Sequence, residues 1–313
     1  MCCFSQFVTS VSNTRIFARK PSGSSQFLVY QMQYNSPHDN AMILPIPVKR
    51  PVQPRSFRFI DLSHYEKFFD DLGMGFPYKA PPISFGCSKS ANNLEKTESL
   101  EVFQVGNYVG SFVPTIAEFS QLDERFGLPA ATWEQIPGYN DYSFAVFQLS
   151  EGSLRPHPMA FEFETDSKDL YFPTLHIHDG KVHPTEAFDH ELYLQHAGFD
   201  SLVGSYVTSG YEDPATNLIR SRYTATRFCS INETKGIVEK DLLVHRKIIR
   251  GQHKNDDTVI KTSGDAVVAT LNLRPSRALI PWIFGLSAFS WLVSRRNRIR
   301  KEKSVTHFEE SQG

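Results

Sequence analysis

Gln26-Phe27-Leu28-Val29-Tyr30-Gln31-Met32-Gln33-Tyr34 is the stretch on which the reading of the fold turns. Successive side chains of a strand point to opposite faces. Phe27, Val29, Gln31 and Gln33 therefore share one face, and Leu28, Tyr30, Met32 and Tyr34 the other. The alternation predicts a β-strand over residues 26–34. Its neighbours carry the same signature. Residues 3–11 and 14–18 are short apolar-rich runs, and Ser12-Asn13 between them reads as a hairpin turn. Residues 41–47 form a further strand, which Pro45 and Pro47 confine to a sheet edge. Residues 57–62 form another.

Helices are fewer. Ser63 with Glu66 makes a capping box for a helix whose stripe is Tyr65, Phe68, Phe69 and Leu72, ended by Gly73. Thr115 with Glu118 marks a second helix, running to Gly127. Residues 142–149, 159–163, 170–177 and 188–194 read as strands. Residues 221–229, 237–249 and 258–273 look strand-like between polar turns. The expected fold class is α+β: a sheet-dominated globular part with a few short helices, plus a C-terminal transmembrane-like helix. The expected organisation is an N-terminal β-rich part (1–77), a Pro/Ser/Asn-rich linker or long loop (78–98), a second β-rich part (99–275), a transmembrane helix (276–296) and a basic, then acidic tail (297–313).

The chain has 313 residues, 40% of them hydrophobic and 13% aromatic, which places it among folding rather than disordered sequences. Its net charge is -1, so no nucleic-acid partner is expected. Four cysteines (Cys2, Cys3, Cys87 and Cys229) include no C-x-x-C pair and are too few for a disulfide framework. The first twenty residues contain Arg15, Arg19 and Lys20 and lack the pattern of a signal peptide.

Residues 278–294, ALIPWIFGLSAFSWLVS, carry no charge, and Arg295 and Arg296 follow at once. As a helix the run would span about 25 Å at roughly 1.5 Å per residue. Trp282 and Trp291 lie near its ends, where interfacial anchors sit. A single-pass membrane localisation is expected, with the bilayer as partner through this helix and the side of the globular part left open; the alternative is a buried or interfacial helix in a cytoplasmic soluble protein.

Cys2-Cys3, Gln31-Met32-Gln33-Tyr34, the segment Ala41-Met42-Ile43-Leu44-Pro45-Ile46-Pro47, Val109-Gly110-Ser111-Phe112 and Tyr142-Ser143-Phe144-Ala145-Val146-Phe147 together resemble a bacterial domain family of unknown function. Its members are predicted to be secreted or membrane-anchored. The resemblance covers roughly residues 2 to 200. It implies an extracytoplasmic domain before a C-terminal span, and it supplies no catalytic residues.

Two places could hold chemistry. Six of the eleven histidines lie between His157 and His196. In Leu175-His176-Ile177-His178-Asp179-Gly180-Lys181-Val182-His183, Asp179-Gly180 reads as a two-residue hairpin turn. That register places His176, His178 and His183 on one face, a three-nitrogen set suited to zinc or copper. His190 alternates with Phe188, Leu192 and Leu194 and is expected in the core. The second place is Cys2. With Met1 removed, its own α-amino group could act as base for the thiol, and the path through Phe17-Ala18-Arg19 has the outline of an N-terminal-nucleophile amidohydrolase. The leading expectation is a membrane-anchored binding or structural domain without an assigned activity. A metal-binding protein or metal-dependent hydrolase and a cysteine amidohydrolase are the alternatives.

Overall fold

Strand β3 (Ser25–Ser36) covers the 26–34 stretch and is paired along both edges, antiparallel to β2 (Ser10–Arg19) and to β10 (Met159–Glu164). The computed structural model describes residues 2–21, 23–76, 102–106, 108–122, 127–202, 212–213 and 216–262. These contain a sheet in the order β14 (Ile219–Thr224), β15 (Leu243–Lys254), β13 (Thr185–Gln195), β2, β3, β10 and β5 (Phe57–Asp61). Strand β9 (Gly152–Leu154) pairs with the end of β3. A second sheet has the order β12 (His176–Ile177), β1 (Cys2–Phe4), β4 (Asn40–Ile46), β8 (Ser143–Leu149), β7 (Tyr108–Val113) and β6 (Val102–Val105). A small ladder joins β11 (Leu170–Phe172) to β16 (Thr258–Ile260).

Both faces of β3 are used. Leu28, Tyr30, Met32 and Tyr34 enter a core shared with Met42, Leu44, Ala145 and Phe147 of the second sheet. Phe27 and Val29 face the other way, beside Phe17, Ala160 and Tyr193. That outer face is covered by Phe68, Phe69 and Leu72 of helix α1 (Phe68–Met74) and by Ile237 and Val238. The outer face of the second sheet (Ile43, Val113, Phe144 and Val146) is covered by Phe119, Trp133, Ile136 and Tyr139. The two sheets are thus a sandwich with a covering layer on each side. Strands from before residue 77 and after residue 101 share both sheets. The expected linker at 78–98 lies outside the described residues.

Sheet-dominated α+β architecture with short helices is what the alternation predicted. Several local readings differ. Ser12-Asn13 is a bulge inside the continuous strand β2, with Asn13 at φ 53°, and not a hairpin. The Asn13 amide holds the bulge by donating to Gln33 Oε1 at 2.5 Å, and its backbone N–H donates to Asp189. Strand β4 lies inside its sheet, between β1 and β8. Pro45 is tolerated there because β1 is three residues long and pairs only with Met42 and Ile43. Neither capping box forms: Ser63 N–H donates to Asp61 instead, α1 starts at Phe68, and Ile116–Gln121 is a 3₁₀ helix without a side-chain cap. Among the described residues no helix is long and apolar enough to cross a membrane. Residues 276–313, with Trp282, Trp291, Arg295 and Arg296, lie outside the described residues.

One carboxylate joins the ladder of β11 and β16 to its surroundings. Asp257 accepts from Tyr139 Oη (2.6 Å), Tyr171 Oη (2.5 Å) and the backbone N–H groups of Thr174 and Leu175 (2.9 Å each). Hydrogen bonds to a charged group contribute roughly 1.5–3 kcal/mol each, and donors left unpaired add desolvation cost. Asp257→Ala should therefore destabilise the fold by about 3 kcal/mol or more, read as a lower urea midpoint at unchanged slope. Tyr139→Phe, which removes one donor and leaves the carboxylate paired, should cost about 1.5 kcal/mol or somewhat more, less than Asp257→Ala.

Candidate functional site

The Asp179-Gly180 turn exists, but its arms do not pair with each other. Asp179 Oδ1 accepts from Lys181 N–H at 3.0 Å, and Gly180 takes φ 76°, a conformation open to glycine. Before the turn, His176 and Ile177 join the second sheet, parallel to Cys2 and Cys3. After it, the chain passes Pro184 and enters β13 of the first sheet, where Thr185 opposes Lys254. The turn carries the chain from one sheet to the other.

This crossover separates the three histidines of the expected set. His183 is exposed and its Nε2 meets Asp179 Oδ2 at 3.1 Å. His176 is buried, and its Nε2 lies 3.0 Å from Nε2 of His190, which is fully buried, as its alternation predicted. His178 stacks on His176 with ring centroids 5.0 Å apart. Phe188 stacks on His176 with ring centroids 4.6 Å apart, and Phe4 meets His178 edge-on. The site brought together is thus His176, His178 and His190, reaching across the two sheets. Alternation along β13 already placed His190 inward; its pairing with His176 depends on the crossover.

Asn255 fixes His176 in place. Its Oδ1 accepts from His176 N–H at 2.7 Å, and its Nδ2 donates to the carbonyls of His176 (2.8 Å) and His183 (3.0 Å). The side-chain amide supplies the two bonds that a neighbouring strand would give.

All three rings are neutral at pH 7. Burial pushes His190 down to about 3 and His178 down to about 4. His176 is lowered further, by burial first and then by His190 and His178. In a neutral pair one Nε2 donates and the other accepts. Nδ1 of His176, Nδ1 of His190 and Nε2 of His178 are buried without a partner among the described residues. A ligating imidazole normally donates its second N–H to an oxygen. Neither ring of the pair has such an acceptor, so the contact fits a hydrogen bond better than a zinc or copper site. Among the described residues no group of three or more His, Cys, Asp or Glu side chains could hold a metal ion.

The backbone of Cys2 lies opposite His176 in the parallel register. Cys3 is buried, on the outer face of its sheet. Arg19, the basic residue of the amidohydrolase outline, belongs to the other sheet. It is buried there, donating to the carbonyls of Ile237 and Gly236 at 2.6 Å each, with its guanidinium 5.1 Å from the Phe27 ring. Cys87 lies outside the described residues, and Cys229 is free, its thiol pushed up to about 12 by burial.

No family model and no curated protein matches this chain. Among solved structures, the crystal structure of baculovirus P35 aligns with 82% of this chain and 98% of its own length at 16% identity and a TM-score of 0.43. A mutated baculovirus P35 after caspase cleavage aligns with 79% of this chain and 98% of its own at 15% identity and a TM-score of 0.40. The caspase-8/P35 complex aligns with 79% of this chain and 95% of that chain at 14% identity and a TM-score of 0.38. These values assign neither a shared site nor a shared ligand.

The ladder makes the fold acid-sensitive. Histidines in the unfolded chain titrate near 6.5, and in the fold they resist protonation. The unfolded state therefore binds more protons as pH falls below about 6.5, and the stabilisation present above that pH is lost toward pH 4 and below. The expected loss is about 1.4 kcal/mol per pH unit for each group fully in this window. Thermal melts from pH 7.5 to 4 should show a flat upper range and a falling acid limb. His190→Gln, which keeps a hydrogen-bonding amide and cannot charge, should reduce the slope of that limb. An unchanged slope in this variant would remove the ladder as its cause.

Proposed function

We propose that this chain is a binding domain tethered to a membrane by its C-terminal segment. The observation that carries the tether is the uncharged run 278–294, bounded by Arg277 and Arg295 and bearing Trp282 and Trp291. It begins just beyond the unit formed by residues 1–271. Basic residues after such a run anchor it at the headgroups, where each contributes about 1 kcal/mol on anionic lipid.

The binding reading is supported by how the interior uses its ionisable groups. Asp257 is bonded to two tyrosines and two backbone amides, His176 to His190, and Arg19 to two carbonyls. Tyr108 Oη meets His157 Nδ1 at 2.6 Å with the rings stacked. These groups hold segments together. Recognition then falls to the outer surface, where Phe7, Met74 and Tyr223 are exposed.

Extraction of membranes from cells making the full chain tests the tether. The protein should stay in the pellet through high salt and alkaline carbonate and leave only with detergent. Leu286→Arg places a charge at the centre of the run, at a cost of about 2.5–3.5 kcal/mol for insertion, and should move the protein toward the carbonate supernatant. Release of the unaltered chain by carbonate would rule the tether out.

A further inference from the structure

Five of the eleven histidines gather where the chain crosses between the sheets. His176 is at the centre, stacked on His178 and His190 with ring centroids 5.0 and 4.7 Å apart. Phe188 bridges from His176 to His253, whose ring it meets edge-on at 5.7 Å. His183 stands on the turn beside Asp179. The groups that face this cluster are mostly cationic or imidazole. Asp179 is bonded to His183 and to the Lys181 N–H, and Glu186 lies opposite His253 in the register of β13 with β15. Tyr34 of β3 reaches the cluster through Phe4. His183 opposes protonation of His178, His253 that of His190, and the amino-terminal ammonium that of both His176 and His190. Residues 5–9, which make the other crossing, carry no ionisable side chain. Positive charge appearing here therefore meets mainly positive charge.

The arm that carries His176 and His178 is lightly held. Strand β12 is two residues long, and β1 pairs with β4 only through Cys3 with Ile43 and Phe4 with Met42. Strand β13, which carries His190, is paired over ten residues with β15 and over five with β2. Short ladders at the end of a sheet open locally at far less cost than the whole fold.

We propose that this cluster is a pH latch: in mild acid residues 174–184 lift from the core, β1 loses its outer partner, and the rest of the sandwich stays folded. An imidazole freed into water titrates near 6.5, and the same ring resists protonation in the core, so the open form binds more protons as pH falls below about 6.5. Each freed ring raises the opening constant about 25-fold between pH 7 and pH 5, and His176 with His178 together raise it about 600-fold. His190, left facing water on β13, adds to this. At neutral pH Asn255 and Asp257 keep the segment closed through their bonds to the N–H groups of Thr174, Leu175 and His176. Opening leaves Met42 and Ile43 of β4 at the edge of the second sheet. The latch rests on neither the tether nor the binding-domain reading, and it differs from acid denaturation because one segment opens ahead of the fold.

Hydrogen exchange read by mass spectrometry tests the latch, on the full chain in non-ionic detergent at pH 7 and pH 5, with labelling times corrected for the intrinsic rate of exchange. Protection of residues 2–9 and 174–184 should fall by about 100-fold or more and return at pH 7, while peptides from β3 and β10 change by less than about tenfold. In His178→Gln, which cannot charge, the fall should be about 25-fold smaller. Where that variant does not fold at pH 7, the comparison between the two sets of peptides in the unaltered chain decides. A parallel loss in every peptide, unchanged protection of 174–184 at pH 5, or a full fall in folded His178→Gln would each overturn the latch.

Discussion

Asn255 and Asp257, two residues apart between β15 and β16, hold the segment at which the sheets are joined. Strand β12 is two residues long and, among the described residues, pairs only with β1. Its other edge and the residues before it would leave buried backbone donors without partners, at a cost close to that of a lost hydrogen bond. Three successive N–H groups, those of Thr174, Leu175 and His176, are instead taken by the two side chains, Asp257 receiving the first two and Asn255 the third. A turn thus does the work of a strand. It can do so because its own backbone is fixed, with Asn255 N–H donating to the Pro184 carbonyl at 3.0 Å.

The histidine ladder is a consequence of that anchoring. Once β12 is fixed, His176 projects into the core between the sheets, and His190 meets it from β13. Burial removes the water that would stabilise an imidazolium, so both rings stay neutral and a single proton can serve the Nε2 pair. Binding a metal at both Nε2 atoms would force a hydrogen onto both Nδ1 atoms, neither of which has an acceptor. The hydrogen-bonded pair needs only one such hydrogen. Fewer unpaired donors follow from the pair than from the metal, and this difference decides between two readings of the same two residues.

The sequence shows its two-sided strands plainly. Residues 26–34 alternate, and both faces of β3 meet apolar neighbours. His190 was legible for the same reason, since β13 is regular and Phe188, Leu192 and Leu194 share its face. What could not be read was the destination of each arm of a turn. Asp179-Gly180 has the local chemistry of a hairpin, but pairing is decided by residues far along the chain: Cys2 and Cys3 for one arm, Lys254 for the other. Ser12-Asn13 is the converse case. Its turn chemistry is real, since Asn13 adopts a left-handed conformation, yet partners on both sides keep β2 running through it. Local signals report that the chain bends, and tertiary pairing decides what the bend becomes.

The same reasoning explains the two parallel pairings among the described strands, which otherwise pair antiparallel. Residues 2–19 begin in the second sheet as β1 and cross to the first as β2. Residues 176–195 do the same, beginning as β12 and ending as β13. Two segments that make the same crossing in the same direction must lie parallel, and they do so at both ends: β1 with β12 and β2 with β13. Between the strands the crossings touch, with Val8 N–H donating to the His178 carbonyl at 3.3 Å. Each crossing therefore templates the other, although more than 150 residues separate them in sequence. Such contacts reward the chain only after a long loop has closed, so they consolidate late in folding. They are also where the sheets are held in register, and His176, His178 and His190 are placed along this double crossing.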